Sequence, residues 1–408
     1  MAAIGTTMRR TCVCPTATTP RGLTLIATTM SVFALRVHLN GGDKNMENSV
    51  FSKITEFKNI LLAAKLAQRR KREHLSVCKF NFYLENELLK LKEEIMSGTY
   101  KPGSYHHFTI YEPKIRDIGV SLYRDRVVHH ILCNVLEPII DRRFIYDSYA
   151  CRKNKGTHKA LDRCEKFMKR ICRINFASAY ILQCDIKKFF PSIDRDIMYK
   201  LCRKHIEDEN ILQLIKLIIN ANDNKQTGLP IGNLTSQFFA NIYLNELDHH
   251  IKHNLRQKYY LRYMDDFLIF GNDKKRLWEV RESINKFLAE KLKLELHPKK
   301  STVYPVKCGV SFLGWRLLPG EVVIARDEVP KQPCEIATSR EIGFRNDIIV
   351  SRRLKRKNIV NFVRRINQKS HDGVAMAEIF NSIRCWIAHC EHGDTYNLRK
   401  KVFSGLYL

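Results

Sequence analysis

Several features that would indicate a membrane or secreted protein are missing from this sequence. The nearest candidate for a membrane span, residues 23–37, is interrupted by three threonines and by Arg36. The 13 cysteines are scattered and form no C-x-x-C pair, which argues against a disulfide framework. There is also no internal repeat and no low-complexity tract. We therefore expect a globular protein of a reducing, cytoplasmic compartment, with no membrane partner.

Acidic residues are scarce relative to basic ones. The chain has 42 Asp and Glu against 70 Lys and Arg, which gives a formal net charge of +28. Such a surplus makes the compact chain repel itself unless a polyanion is bound. Nucleic acid is therefore the first expected partner and an anionic membrane surface the second. The alternative is a basic protein whose charge serves solubility alone.

One group of potential metal ligands near the C-terminus fits no zinc-finger spacing. It consists of Cys385, His389, Cys390 and His392. Cys385 and His389 stand one helical turn apart, on either side of Trp386 and Ile387. We interpret this segment as a packed helix, with a metal site as the alternative.

The chain divides into three parts by composition. Residues 1–45 are rich in Thr, Ala and Arg, with Asp43 as their single acidic residue. We expect a disordered leader or an extension upstream of a true start at Met46, although a transit peptide or secretion signal has a similar composition. Residues 46–320 mix helix and strand patterns, whereas residues 321–408 are basic and are predicted to be helical.

Short apolar strands separated by amphipathic helices predict an α+β catalytic domain. Strands are predicted as a hairpin over 105–120, as a single strand over 180–185 and as a second hairpin over 261–270. Helices are predicted from residue 51, and over 84–95, 124–136 (ending at Pro138), 234–252, 352–369 and 374–391.

Asp265 and Asp266 form an acidic pair inside an apolar segment, at the predicted tip of a hairpin. Adjacent carboxylates repel each other, and a divalent cation removes that repulsion. Asp185 ends another apolar strand and could complete a site for two Mg²⁺ ions, which can activate a 3′-oxygen and stabilise leaving pyrophosphate. Taken alone, an Asp-Asp pair is more often a solvated turn.

The surrounding motifs resemble those of the reverse transcriptase family. Tyr263-Met264-Asp265-Asp266 resembles the family's signature tetrapeptide, and Asp185 followed by Phe189 and Phe190 resembles its first catalytic motif. Three further motifs resemble the fingers helix, the nucleotide-binding loop and the primer-grip hairpin, and they are Arg124–His130, Gly228–Gln237 and Phe312-Leu313-Gly314-Trp315. All five occur in family order, and the resemblance covers about residues 50–320.

This resemblance implies an α+β, right-hand polymerase architecture. Fingers and palm, built from an antiparallel sheet plus helices, would occupy residues 46–320, and an all-helical basic thumb with the C-terminal region would occupy residues 321–408. RNA template, cDNA primer strand and dNTPs would be the partners of such an enzyme.

The resemblance also assigns the catalytic residues. Asp185, Asp265 and Asp266 would be catalytic and would hold two Mg²⁺ ions. Lys300, or its neighbour Lys299, would donate a proton to the departing pyrophosphate.

A further set of residues would contact the nucleotide or the primer. Phe190 would exclude a ribose 2′-hydroxyl, with core packing as the alternative. Arg116, and second to it Lys114, would bind the triphosphate, with a solvated turn as the alternative. Gly232 would permit close approach of the backbone. The remaining dNTP-site candidates are Ile231 and Gln237, and the primer-grip candidates are Phe312, Leu313, Gly314 and Trp315.

Two residues of the nucleotide-binding loop narrow the resemblance. Most reverse transcriptases carry Gln at the position of Ile231 and Pro at the position of Gln237. The form found here, together with Phe144–Arg152, resembles the reverse transcriptases of diversity-generating retroelements in bacteria, archaea and phages. Ile offers shape without a polar restraint, so we expect looser selection of the correct base pair. The alternative is that Ile231 simply packs.

This narrower resemblance implies mutagenic retrohoming. The enzyme would copy a template-repeat RNA into cDNA with errors at template adenines, in the cytoplasm of a prokaryotic or phage-infected cell. A small, basic, helical accessory protein that forms an oligomeric barrel would be its partner. The alternatives are a faithful reverse transcriptase of the retron, group II intron or phage-defence type, and a catalytically dead RNA-binding scaffold.

Overall fold

The computed structural model describes residues 49–111, 115–221, 225–323 and 347–403. Residues 1–45, predicted to be a leader, and Lys114, predicted to bind the triphosphate, lie outside the described residues. Within the described ranges, no helix has the length and apolar content that a membrane span requires.

The first part of the fold contains helices and one two-stranded hairpin. Its elements are α1 (Val50–Thr55), α2 (Phe57–Ala67), α3 (Leu75–Phe82), α4 (Leu84–Met96), β1 (His106–Ile110), β2 (Arg116–Val120) and α5 (Tyr123–Ile140). Helix α4 buries the apolar residues that recur at helical spacing, Leu88, Leu91 and Ile95. Gly98 follows its C-cap with φ +69°, as expected for a residue that stops a helix.

Helix α5 differs from the prediction at its end. We expected Pro138 to end this helix or to lie just beyond it, but Pro138 lies inside it and the helix continues to Ile140. Leu136 and Ile140 are almost completely buried. Their packing stabilises the last turn even though Pro138 lacks the backbone N–H that would donate to the preceding turn.

The palm is a four-stranded antiparallel sheet with helices packed on it. Its strands are β3 (Tyr180–Asp185), β4 (Tyr260–Tyr263), β5 (Asp266–Gly271) and β6 (Thr302–Pro305), in the order β4-β5-β3-β6. The helices of this part are α6 (Thr157–Ile174), α7 (Phe189–Ser192), α8 (Arg195–Arg203), α9 (Glu209–Asn220), α10 (Leu234–His249) and α11 (Lys274–Leu292). The predicted strand over 180–185 and the predicted hairpin over 261–270 are confirmed.

The palm sheet buries side chains on alternate faces of its strands. Ile181, Leu268 and Phe270 share one core with apolar residues of α6 such as Phe167. Residues that alternate with them along β5, including Ile269, point to the other face and are also buried. Helix α11 contacts β3, β5 and β6. This double-sided burial fixes the register of β3 against β5.

The C-terminal part begins with strands and ends with helices. Strands β7 (Val310–Phe312), β8 (Trp315–Val323) and β9 (Asp347–Leu354) form a second antiparallel sheet, followed by α12 (Arg356–His371), α13 (Met376–Cys390) and α14 (Tyr396–Phe403). The prediction of a helix from residue 352 was wrong, because residues 352–354 end β9. The prediction that residues 321–408 are all-helical was wrong for the same reason, since β9 and the end of β8 lie in this range. The three helices share a small core in which Phe362 stacks on Trp386, with ring centroids 4.2 Å apart.

Helix α13 contains Cys385, His389 and Cys390, so the predicted helix is confirmed, although Cys385 is exposed and His392 lies beyond the helix end. Cys390 is buried, and the His389 ring lies 5.2 Å from the Trp315 ring. His392 stacks on His158 of α6, with centroids 3.5 Å apart. Within the described residues, the side chains of Cys385, His389, Cys390 and His392 do not form a group of metal ligands.

An ion-pair cluster joins the second sheet to the palm. Arg352 of β9 donates to Glu165 at 2.6 Å and to Asp162 at 2.7 Å, both on α6. Close by, Gly393 leaves no room for a side chain, since a Cβ there would lie 2.3 Å from the Trp315 ring and 2.9 Å from the Arg352 carbonyl oxygen. Backbone and ring are therefore in direct contact at this junction.

We predict that Gly393→Ala destabilises the protein by about 1–3 kcal/mol, because the new methyl group forces a shift of a buried ring or of the backbone. Gly373→Asn is the matched control. Gly373 has open space around it and φ +67°, which Asn tolerates, so little change is expected. Urea unfolding of both variants measures the difference, and equal stability of the two would contradict this account of Gly393.

Candidate active site

The sheet register brings the three predicted aspartates together. Asp185, the last residue of β3, is the direct cross-strand partner of Asp266, the first residue of β5. Tyr263 of β4 also pairs with Asp266, so Met264 and Asp265 form a two-residue hairpin turn. Met264 adopts φ +57°, a conformation that two-residue hairpins favour and that non-glycine residues rarely adopt.

Partial burial and the closeness of the three carboxylates shift the pKa values of Asp265 and Asp266. Burial, assisted by the charge of Asp185, raises the pKa of Asp265 above its ordinary range. Burial and the neighbouring charges of Asp265 and Asp185 raise the pKa of Asp266 to about 7. The carboxylates are therefore held against their mutual repulsion, and a cation placed among them would be attracted.

Two basic residues moderate this negative charge. The Lys300 ammonium forms an ion pair with Asp185 Oδ2, and its charge acts to lower the pKa of both other aspartates. The Arg116 guanidinium acts in the same direction on the pKa of Asp265, so β2 of the first hairpin presents its first residue toward the site. Of the two lysines considered as proton donors, Lys300 contacts the carboxylates, while Lys299 lies exposed beside it.

The donor set fits Mg²⁺ in the way typical of nucleotide enzymes. The three carboxylates do not by themselves form a closed protein cage among the described residues. Mg²⁺ usually takes one or two carboxylates and completes its coordination with water and substrate phosphates. Burial and neighbouring carboxylates raise the pKa values of Asp265 and Asp266, and a divalent cation bound here would offset the repulsion between the charged groups. Asp185, Asp265 and Asp266 therefore fit the ion as partial ligands.

The two phenylalanines after Asp185 have different environments. Phe189 is buried at 2% exposure, whereas Phe190 is half-buried on the same short helix α7, with its ring 5.4 Å from that of Phe189. The core-packing alternative thus describes Phe189 better than Phe190, whose ring remains partly accessible.

The loop predicted to bind nucleotide, Gly228–Gln237, lies against the first hairpin. Gly232 has φ +121°, and a Cβ there would lie 3.3 Å from the Ile118 side chain and 3.5 Å from the Gly119 carbonyl oxygen. Asn233 is buried and links the loop to the hairpin: it donates to the Tyr105 hydroxyl at 2.7 Å and accepts from Ser121 at 3.2 Å. These hydrogen bonds and the close packing at Gly232 hold the loop against β2.

Helix α10 begins immediately after Asn233. Its first residue, Leu234, is also the first residue of the helix predicted over 234–252, and the α-helix ends at His249. Thr235 and Ser236 are buried, while Ile231 and Gln237, the two residues that distinguish this loop, are half-buried. Ile231 and Gln237 thus keep part of their surface available to a neighbour.

The predicted primer-grip motif divides into a buried base and an accessible tip. Phe312 and Trp315 pair across β7 and β8 and are at most 1% exposed, so their side chains belong to the core and do not reach a primer. Leu313 and Gly314 form the turn, with φ +47° and +88°, and are half-buried. Any contact with a primer falls to this tip.

Three residues near the aspartates were not predicted from the sequence. The His297 backbone N–H donates to the Asp185 carbonyl oxygen at 2.7 Å, and Ser301 approaches the same peptide at 3.5 Å. Arg262 is fully buried in β4, one residue before the tetrapeptide Tyr263-Met264-Asp265-Asp266. For Arg262 a signal existed, because a charged residue within an apolar strand is rarely buried without a partner.

Comparison with known proteins identifies the class. The family model described as reverse transcriptase (RNA-dependent DNA polymerase) matches residues 101–317, which is more than half of the chain. The matched range contains the three aspartates, the loop under the first hairpin and β7. The chain belongs to the reverse transcriptase family.

Individual relatives are distant. Protein YkfC of Escherichia coli K12 is 26% identical over 275 residues, covering 57% of this chain and 71% of that protein. The group II intron-encoded protein LtrA of Lactococcus lactis is 24% identical over 306 residues, covering 57% of this chain and 50% of LtrA. A putative COX1/OXI3 intron 1 protein of Saccharomyces cerevisiae is 27% identical over 171 residues, covering 40% of this chain and 20% of the yeast protein.

Among solved structures, apo telomerase from Candida tropicalis superposes with a TM-score of 0.43 at 12% identity, over 53% of this chain and 47% of that chain. The fold assignment therefore stands on the family match and on the arrangement of the sheets and helices described above.

We predict that Asp265→Asn combined with Asp266→Asn abolishes primer extension on an RNA template and leaves RNA binding largely unchanged, because amides cannot replace carboxylates as Mg²⁺ ligands. Extension and filter-binding assays measure the two properties. Asp273→Asn is the matched control: Asp273 is exposed and caps α11, and Asn caps a helix nearly as well. Continued extension by the double variant would refute the assignment.

We predict that Mg²⁺ raises the thermal midpoint more at pH 8 than at pH 6. The pKa of Asp266 is raised from 3.8 to about 7, so the metal-free fold loses stability as pH rises through this interval, where the folded state binds more protons. At pH 8 the carboxylate is charged and Mg²⁺ relieves the repulsion; at pH 6 a proton competes. Thermal unfolding with and without Mg²⁺ tests this, and Asp266→Asn should shrink the difference between the two pH values.

Proposed function

We propose that this protein is an RNA-directed DNA polymerase that acts by a two-metal mechanism. The observation that carries the proposal is the cross-strand pairing of Asp185 with Asp266, beside Asp265, with raised pKa values for the latter two. Two Mg²⁺ ions would supply activation of the primer 3′-oxygen and stabilisation of pyrophosphate. The chain's own part is to hold the carboxylates in register and to keep Lys300 beside Asp185, where its ammonium can give a proton to the leaving group.

Nucleotide binding would use the first hairpin and the loop beneath it. Arg116 would bind the triphosphate through charge-assisted hydrogen bonds, since it already acts on the charge of Asp265. Gly232 would let the nucleotide approach the backbone, and the half-buried Phe190 ring would exclude a 2′-hydroxyl. The tip Leu313-Gly314 would contact the primer.

We further propose that synthesis is error-prone opposite template adenines, in the service of mutagenic retrohoming from a template-repeat RNA. The residue that supports this is Ile231, half-buried in a loop clamped against β2. Its aliphatic side chain can restrain a nucleotide by shape and offers no hydrogen bond, so the difference in affinity between correct and incorrect pairs is smaller. Gln237 and the segment Phe144–Arg152 support the same subgroup by resemblance.

The proposed setting follows from the same resemblance. The partners would be the RNA template, the cDNA strand and an oligomeric, small, basic, helical accessory protein, in the cytoplasm of a prokaryotic or phage-infected cell. The net charge of +28 suits the nucleic acid.

A second candidate function is that of a faithful intron-type reverse transcriptase. The observation that favours it is the set of relatives, which includes the group II intron-encoded protein LtrA and the yeast intron 1 protein. Both candidates share the catalytic chemistry and differ in fidelity. The distribution of errors therefore separates them.

We predict that cDNA made by the wild-type protein on a defined RNA carries errors concentrated at template adenines, and that Ile231→Gln lowers the adenine error rate severalfold by restoring a polar restraint. Deep sequencing of the cDNA measures both. Ile231→Val, which stays aliphatic, is the matched control and should keep the wild-type spectrum. Errors spread evenly over the four template bases would favour the intron-type alternative.

A further inference from the structure

Arg262 is fully buried, and its guanidinium has a partner for every N–H. Nε and Nη2 donate to the two carboxylate oxygens of Asp248 at 2.8 and 2.7 Å. Nη2 also donates to Ser148 Oγ at 3.1 Å, while Nη1 donates to Asn241 Oδ1 at 3.3 Å and to the Met264 carbonyl oxygen at 3.1 Å. Tyr260 donates its hydroxyl to the same Asp248 carboxylate at 2.5 Å.

A buried arginine of this kind is costly unless charge and hydrogen bonds are all satisfied. Stability alone does not require it, because apolar residues of similar volume often serve as well in place of a buried ion pair. The five directional hydrogen bonds of Arg262 are better explained by a need to fix the geometry of the elements around it. The elements fixed are α10, through Asp248 and Asn241, the segment around Ser148, and the hairpin turn, through Met264.

The backbone at the same position is held as well. The Arg262 N–H donates to the Asp147 carbonyl oxygen at 2.9 Å, and the Tyr149 N–H donates to the Arg262 carbonyl oxygen at 3.0 Å. Asp147 in turn accepts from Arg163 at 2.7 Å. The strand leading into the turn is thus braced by a segment that belongs to neither β4 nor β5.

The contact with Met264 is the one that bears on chemistry. Met264 has φ +57°, an unfavourable conformation for a residue with a side chain, and its carbonyl group lies directly before Asp265. A hydrogen bond to that carbonyl from a guanidinium that cannot move restrains the peptide plane between Met264 and Asp265. The direction of that plane decides where the Asp265 and Asp266 carboxylates point.

We propose that Arg262 is a positioning residue for the candidate metal site: through the Met264 carbonyl it fixes the turn that presents Asp265 and Asp266 to Mg²⁺. Arg262 itself touches neither metal nor substrate, since it is 0% exposed. This inference rests on the proposed polymerase function.

The test is Arg262→Lys, which keeps the positive charge next to Asp248 but lacks the planar set of donors that reaches the turn. We expect the Mg²⁺ concentration for half-maximal extension to rise about tenfold and kcat to fall roughly 10- to 100-fold, the scale expected for a small misplacement of catalytic groups. Mn²⁺ binding, followed by electron paramagnetic resonance without substrate, should weaken in parallel. Affinity for the primer–template duplex should stay at the wild-type value.

Arg152→Lys is the matched control. Arg152 is also nearly buried and bidentate: it donates to Asp141 at 2.6 and 3.1 Å, and to the carbonyl oxygens of Ile145 and Ser148 at 2.7 and 2.9 Å. Its loss should lower thermal stability and leave Mn²⁺ affinity unchanged. If Arg262→Lys and Arg152→Lys lower activity only in proportion to lost stability, with wild-type Mn²⁺ affinity, the positioning role is refuted.

A second variant covers the case in which Arg262→Lys does not fold. Arg262→Met with Asp248→Leu and Tyr260→Phe removes the charges and the unpaired hydroxyl together, which should preserve packing. Weak Mn²⁺ binding in this folded variant supports the proposal, and wild-type Mn²⁺ binding and kcat overturn it. Failure of the wild-type protein to extend any primer would count against the proposed function instead, because the Mn²⁺ comparison is independent of turnover.

Discussion

The mutual repulsion of three carboxylates at one end of the palm sheet is the constraint on which the rest of the site depends. Asp185 and Asp266 face each other because β3 and β5 pair in a register fixed by burial on both faces. Asp265 is added by a two-residue turn in which Met264 has φ +57°, a conformation that non-glycine residues rarely adopt. If the strands could shift in register, these carboxylates would separate. The large core around α6 opposes such a shift, and we propose that the buried guanidinium of Arg262 also holds the carboxylates close together.

The residues around the three aspartates lie on three separate sheets. The first hairpin brings Arg116, the palm sheet brings the aspartates, and the second sheet brings the tip Leu313-Gly314. Each is tied to the palm by a polar contact of its own. Asn233 connects the first hairpin to the nucleotide-binding loop, and Arg352 connects the second sheet to α6. Substrate would thus meet surfaces whose relative positions are set by buried or half-buried hydrogen bonds.

Membership of the reverse transcriptase family and specialisation within it rest on different residues. Family membership is shown by the match over residues 101–317, a range that contains the three aspartates. The proposed mutagenic role depends on Ile231 and Gln237, which lie on partly exposed positions of the loop and the first turn of α10. The similarity to intron-encoded proteins, at 24% and 27% identity, does not distinguish between the two proposed roles. Under this proposal, a change of side chain at such a position would alter selectivity without altering the fold, because no core residue is involved.

Local patterns were enough for much of this protein. The strand over 180–185, the hairpin at Asp265-Asp266 and the helix after Gly232 follow from alternation, helical spacing and turn chemistry, all of which act between neighbours in the chain. The sequence by itself did not show that residues 352–354 continue a strand, because their partner β8 lies some 35 residues earlier, a separation that local periodicity does not register. Nor did it show that Phe312 and Trp315 are core residues, or that Lys300 contacts Asp185. Above all, the five contacts of Arg262 join residues between 148 and 264, and such convergence is decided by tertiary packing alone.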